Sequence, residues 1–265
     1  MKKAFLMTLF IITFITRPTI HVNNAYAAQA TTHDSSLVSP DKIKILVYHS
    51  IAPTPKKKES TMTLHYRIKP SVFESQMKYL KDNGYNTITF STLVKSIQDG
   101  TKLPSNDVVL TFDDGWKNQY TYAYPILKKY NYIGTFFIIT SYPTGKYPAY
   151  MSWDEIISLD KSGMEIGSHT VHHLNLAKSK NQSIQEEATN SKKVLEEKIG
   201  HTIKTFAFPD YAHNQATELA IKNASYAGAR VGYGKYKNNI DHIYELTSQE
   251  VVNNPNPFLS KRIAD

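Results

Sequence analysis

The feature that most constrains this chain is an alternation. Short apolar runs rich in β-favouring residues at 43–47, 86–89, 108–112, 134–139, 164–167, 204–208 and 227–229 are separated by segments of helical character. Uninterrupted apolar runs read as strands covered on both faces, the habit of parallel sheets, and parallel neighbours need long crossovers such as helices. About seven strand–helix units fit the length, which favours an α/β fold, a closed or partly closed, deformed (β/α) barrel, over an open doubly wound sheet. Helix starts are predicted at Ser71 with Glu74, Ser152 with Glu155, and Ser183 with Glu186, each a Ser-x-x-Glu pattern able to satisfy the first free amides of a helix. Gly84, Gly100, Gly163 and Gly200 sit where those helices should stop. No internal repeat or low-complexity tract divides the chain.

With 265 residues, 41% of them hydrophobic, there is enough apolar material for a sizeable core. The complete absence of cysteine excludes disulfides, thiolate metal sites and cysteine catalysis, so any metal ligand must be His, Asp or Glu. Lys2 and Lys3, the apolar stretch 4–15 and the small residues Ala25 and Ala27 form a secretory signal pattern. The expected organisation is therefore a signal peptide over 1–27, a flexible leader over 28–42 and a catalytic domain over 43–265. On this reading the mature chain is secreted or cell-surface associated, with no integral membrane segment after cleavage. The 31 basic and 23 acidic residues give +8, and removing the three basic residues of the signal leaves +5. Part of that excess, Lys56-Lys57-Lys58, falls in a Pro-containing stretch, 53–69, read as a solvated loop overhanging a groove. No arginine–aromatic alternation suggests a nucleic-acid partner.

The chemistry concentrates at strand ends. Val108-Val-Leu-Thr-Phe-Asp-Asp-Gly115 is an apolar strand that stops abruptly in two carboxylates. Adjacent extended residues point in different directions, so Asp113 and Asp114 suit different tasks, one binding a cation and one reaching a proton; a surface Asp-Gly turn is the bland alternative. A second strand leads into Ser168-His-Thr-Val-His-His173. His169 and His173, four apart, would share one face of a helical turn and, with one carboxylate, form an open His-His-Asp site; His172 is read as a bystander. His49 ends the first strand, at the same barrel rim. In Phe206-Ala-Phe-Pro-Asp-Tyr211, Pro209 closes a strand and places the backbone near Asp210 and Tyr211 toward the pocket. Trp116 and Trp153 are candidates for stacking on a sugar ring, or simply core.

Taken together, Thr111-Phe-Asp-Asp-Gly115 and Ser168-His-Thr-x-x-His173, in this order and with a Phe-x-Phe-Pro segment downstream, resemble the motifs of the polysaccharide deacetylase family, the NodB homology domain, over about 43–251. The resemblance implies that Asp113 is the catalytic base and that Asp114, His169 and His173 hold one divalent metal ion, Zn2+ with Co2+ or Ni2+ as alternatives. The early Val-Tyr-His49 is similar to the permuted subgroup that includes biofilm poly-N-acetylglucosamine deacetylases, which makes His49 the general acid. In keeping with permutation, Tyr244-Glu-Leu-Thr-Ser248 offers no Leu-x-His. Asp210 stands where the family usually carries tyrosine after the proline, and a carboxylate there would oppose a developing oxyanion. The implied reaction removes N-acetyl groups from an extracellular N-acetylated glycan, poly-β-1,6-N-acetylglucosamine being favoured, with Val47 lining the acetate pocket and Trp116, Asp210 and Tyr211 contacting substrate. Peptidoglycan or chitooligosaccharide, or a catalytically impaired glycan-binding protein on the same fold, are the alternatives. Oligomeric state is left open.

Overall fold

A computed structural model describes residues 36–55, 64–234 and 236–252. The signal reading, Lys56-Lys57-Lys58 and the C-terminal residues 253–265 lie outside them. All seven expected runs form strands: β2 (Lys44–Tyr48), β5 (Asn86–Ile88), β7 (Asp107–Phe112), β8 (Thr135–Ile138), β9 (Glu165–Ser168), β10 (Thr205–Ala207) and β11 (Gly228–Arg230), between which run helices α1 (Pro70–Asp82), α2 (Phe90–Asp99), α3 (Tyr124–Tyr130), α4 (Trp153–Lys161), α5 (Asn181–Ile199) and α6 (Gln215–Asn223). An eighth strand, β12 (Gln249–Glu250), completes one all-parallel sheet in the order β11-β10-β9-β8-β7-β2-β12, with β5 pairing the first half of β7. Residues 243–248 hydrogen-bond along β11, through Ala229, Val231 and Gly232, just before the chain enters β12 beside β2. The sheet thus curls back on itself.

The period-2 alternation of the strands sorts their side chains into two cores. Leu46, Leu110, Phe136 and Phe206 face the helices of the outer layer, while Ile45, Val109, Phe137 and Ala207 pack with Phe90, Leu93 and Val94 of α2. Fully buried strands account for why the runs lack polar interruption.

Ser152 and Glu155 form the expected reciprocal cap of α4, and Gly100 and Gly200 end α2 and α5 in left-handed conformation. Two expected starts shift. Helix α1 begins at Pro70 with Lys69 before it and no side-chain cap, because proline already fixes the first helical φ and needs no amide partner; Ser71 lies inside. Helix α5 begins at Asn181, two residues ahead of Ser183. Within the stretch expected as leader, Leu37–Val38 forms β1, antiparallel to β6 (Leu103–Pro104), and Val38 packs against the α2 core. Within the expected loop 53–69, Arg67–Ile68 forms β4 beside β3 (Ser50–Ile51), so its exit is tied to the segment that follows His49.

Gly167, in the middle of β9, has no room for a side chain: an added Cβ would lie 2.5 Å from Cε1 of Phe137 and 2.8 Å from Oγ1 of Thr205. Gly167→Ala is expected to destabilise the fold by about 1–3 kcal/mol through overpacking, seen as a lower urea midpoint. An unchanged midpoint would mean the sheet yields more easily than this packing implies.

Candidate active site

Apart from Val47 and Trp153, the candidate residues sit past the C-terminal ends of parallel strands, and ladder hydrogen bonds fix the backbone there. The amide of Asp113 donates to Tyr48 O at 2.9 Å, that of His169 to Ile138 O at 2.9 Å, and that of Phe208 to Arg230 O at 3.1 Å. Gln119, wholly buried in the π-helical turn Gln119–Ala123, staples two strand ends by donating to His49 O at 2.9 Å and to Asp113 O at 2.5 Å.

The two adjacent carboxylates part company at this point. Asp113 continues the strand and turns into the interior, where Nη2 of the fully buried Arg230 donates to its Oδ1. Burial pushes the Asp113 carboxyl up, but the Arg230 guanidinium, aided by His169 and His49, outweighs it and holds the group below its ordinary range. Asp114 takes a left-handed φ of 75°, with Gly115 following at 76°, and this reversal sends its side chain the other way. Trp116 Nε1 donates to Asp114 Oδ2 at 2.8 Å, leaving Oδ1 3.5 Å from His169 Nε2 and 3.4 Å from His173 Nε2. Burial raises Asp114, yet the two imidazoles beside it bring it well below the usual carboxylate value.

The histidine segment is not the helical turn expected from its spacing. Thr170 (φ 70°) and His173 (φ 58°) are left-handed, and the loop is shaped from outside. Glu187 of α5 accepts the amides of Val171 and His172 at 2.8 and 2.9 Å and the His172 ring Nδ1 at 2.7 Å, while Thr170 Oγ1 accepts the amide of His173 at 2.9 Å. His172 therefore serves the loop rather than the Asp114 group.

The donor set suits a divalent cation. Asp114, His169 and His173 each offer a ligand atom within 4.8 Å of the others. His169 Nδ1 lies 2.7 Å from Ala207 O; a carbonyl can only accept, so Nδ1 carries the proton and Nε2 presents its lone pair toward Asp114, the second-layer arrangement that orients a metal-binding imidazole. His173 is lowered by burial but raised more strongly by Asp114, so its pKa lies above the ordinary value.

His49 lies between two acids, its Nε2 3.9 Å from Asp113 Oδ2 and its Nδ1 3.7 Å from Glu250 Oε1, beneath the ring of Tyr66 at 4.8 Å. Glu250 Oε1 also accepts from Tyr211 Oη at 2.7 Å. Asp210 and Tyr211 are both left-handed; Asp210 is exposed, and its Oδ2 accepts from Asn175 Nδ2 at 3.4 Å. A cavity of about 290 Å3 gathers Asp113, Asp114, His169, His173, His49 and Tyr211, and it meets a groove of about 650 Å3 walled by Trp116, Lys117, Asn118, Arg67 and Tyr122. Trp116 stacks on Tyr150 with centroids 4.4 Å apart. Two candidates fall elsewhere. Val47 is fully buried within β2 and lines neither space, and Trp153 packs against the outer core.

Arg230, Gln119, Glu187, Glu250 and Tyr66 were not singled out by sequence reasoning. A usable signal existed for Arg230 alone, an arginine closing an apolar strand whose neighbour ends in a carboxylate.

Residues 100–244 match the family model described as polysaccharide deacetylase. The chain belongs to the polysaccharide deacetylase family. It is 32% identical to the Bacillus subtilis protein YxkH, named as a polysaccharide deacetylase, over 71% of this chain and 63% of that protein. It is 29% identical to the poly-beta-1,6-N-acetyl-D-glucosamine N-deacetylase of Staphylococcus aureus over 75% of this chain and 68% of that one. Among solved structures the fold is similar to the Streptococcus pyogenes deacetylase PplD in complex with acetate, with a TM-score of 0.76 at 22% identity over 87% of this chain and all of that chain. It is also similar to IcaB from Ammonifex degensii, at 0.71 and 22% over 84% of this chain and 95% of that one. His49 and Glu250 fall outside the matched 100–244, although the fold places both in the small cavity.

Arg230→Met would leave a buried carboxylate uncompensated, at a cost of about 3–5 kcal/mol near neutral pH. A carboxyl with a depressed folded pKa lends stability that is complete above its unfolded value and lost as pH falls through the folded one; without Arg230, burial reverses the sign. The deficit of the variant should therefore shrink on acidification as its Asp113 takes up a proton, which urea unfolding at about pH 7 and about pH 5 would read. Equal deficits at both would show that the ion pair is not their source.

Proposed function

We propose that the chain is an exported, metal-dependent N-deacetylase that hydrolyses acetamide groups of an N-acetylglucosamine-containing extracellular polysaccharide. The observation that carries this reading is the division of labour at the end of β7: Asp113 ionised against Arg230, and Asp114 one residue on among His169 and His173. A divalent cation bound by Asp114, His169 and His173, zinc by preference, supplies Lewis-acid charge to activate water and polarise an acyl oxygen.

The chain's own residues do the rest. Asp113, kept as carboxylate by Arg230, is the proton acceptor that turns water into a nucleophile toward the acetamide carbon. A backbone amide near Asp210 faces the oxyanion, with the Asp210 carboxylate drawn toward Asn175. His49, reached by both Asp113 and Glu250, donates a proton to the departing amine as the carbon–nitrogen bond breaks, leaving acetate and a free amine on the polymer. Those amines are cationic near neutral pH, so a neutral glycan becomes able to hold anionic surfaces.

Poly-β-1,6-N-acetylglucosamine is the favoured substrate, supported by the similarity to the Staphylococcus aureus enzyme and by the placement of a strand-one histidine in the cavity. The open groove with Trp116 at its wall fits a chain entering from the side rather than a single sugar. Among the described residues no helix is long and apolar enough to cross a membrane.

Acetate release by the full chain, loaded with zinc, should be seen with poly-β-1,6-N-acetylglucosamine and be weaker with chitooligosaccharides and peptidoglycan. Asp113→Asn and His169→Ala should each abolish it. Release from none of the three, with zinc bound, would point instead to a glycan-binding protein.

A further inference from the structure

A second cluster of metal-ligating side chains lies behind the Tyr211 turn, away from the Asp114 group. His213, Glu218 and Glu245 each place a ligand atom within 4.8 Å of the others. They come from three separate pieces of the fold: the loop after the Pro209–Tyr211 turn, helix α6, and residues 243–248 that close the sheet against β11. None of the three was used in the deacetylation chemistry.

The surroundings of this cluster repeat those of the Asp114 site. His213 Nδ1 lies 3.2 Å from Tyr211 O, a carbonyl that can accept a proton carried on that nitrogen. Its Nε2 faces Glu245 Oε2 at 3.1 Å, close enough for the two atoms to share a ring proton or to bind one cation together. The other oxygen of Glu245 accepts from His242 Nδ1, and His242 is itself stacked on Tyr236 with centroids 4.1 Å apart. Both the imidazole and a carboxylate of the cluster are thus held in place by outer partners, as metal ligands usually are. Glu218 brings a second carboxylate to the same half-buried spot. Two carboxylates converging there are costly to hold together, and a divalent cation compensates both at once.

We infer that His213, Glu218 and Glu245 form a second, structural site for a divalent transition-metal ion, of the His-and-carboxylate type that zinc accepts. A metal there would clamp the sheet-closing segment to α6 and to the Tyr211 turn, and so steady the chain of contacts from Tyr211 to Glu250 and His49. The ligand chemistry is one imidazole and two carboxylates with room for water, which suits Zn2+ better than Ca2+ because of the nitrogen donor.

Zinc content of the full chain, dialysed from excess Zn2+ and measured by elemental analysis, tests this directly. The native protein should hold two zinc ions per chain. Glu218→Gln and His213→Ala should each hold one, as should His169→Ala, and the His169→Ala/Glu218→Gln double variant should hold none. Because His213→Ala also removes a packed ring, Glu218→Gln is the deciding variant. A second reading is thermal: Zn2+ should raise the Tm of His169→Ala but leave that of the double variant unmoved. If the native protein holds a single zinc that His169→Ala removes, and zinc does not move the Tm of His169→Ala, the cluster is a proton-held network of His213, Glu245 and His242 and the inference is overturned.

Discussion

Two carboxylates placed side by side at the end of a buried strand set the terms for everything around them. Neither can stay where the strand leaves it without compensation, and the same partner cannot serve both because successive extended residues diverge. The fold resolves this by breaking the backbone between them. Asp113 keeps the strand conformation and meets Arg230 from the far edge of the curled sheet; Asp114 flips to a left-handed φ and meets two imidazoles from β9. The curl is therefore part of the electrostatics: β11 carries Arg230 to Asp113 across the barrel mouth because residues 243–248 draw β11 round toward β12 and β2. An open sheet of the same strands would leave Asp113 buried without its cation.

Much of this was legible in the sequence, and the limits of legibility are physical. Strands β2, β7, β8, β9 and β10 are readable because parallel strands buried on both faces must be apolar without interruption. The residues at their ends are readable because polar groups straight after such runs have nowhere to go but the barrel mouth. What brings His169 and His173 together was not readable. Spacing alone suggests a helix, whereas the loop is shaped by Glu187, a buried carboxylate on the inward face of the next helix whose three hydrogen bonds all go backward along the chain. Arg230 pairs with a residue 117 positions away. Gln119 hides in a π-helical turn that no periodicity announces. Each is a long-range partner, and a single sequence carries no mark of which distant residue will answer a given charge.

The proposed acid side of the site is built differently from its base side. Asp113, Asp114, His169 and His173 ride on central strands within the stretch that matches the family, flanked on both sides by ladder neighbours. His49, just past β2, and Glu250, on β12, sit outside that stretch and meet only because β12 pairs with β2. A histidine just past β2 needs a partner from the closing segment to hold it, and Glu250, anchored by Tyr211 Oη, is placed to do so.

This arrangement also gives the Pro209–Tyr211 turn a purpose. Left-handed backbone at both Asp210 and Tyr211 turns the chain sharply after Pro209, and Gly232 leaves the space that the Tyr211 ring fills: a Cβ there would lie 2.7 Å from the ring. The ring then spans from Arg230, whose guanidinium lies 6.0 Å from its centroid, to Glu250. Tyr211 thus lies beside the supports of both proposed proton-transfer groups, the cation behind Asp113 and the carboxylate behind His49. The carboxylate of the exposed Asp210 beside it points to Asn175 and not into the Arg230–Asp113 pair, yet it lines the small cavity with the candidate ligands. A negative charge at that position therefore reaches the reaction centre through His173, whose pKa it helps to raise.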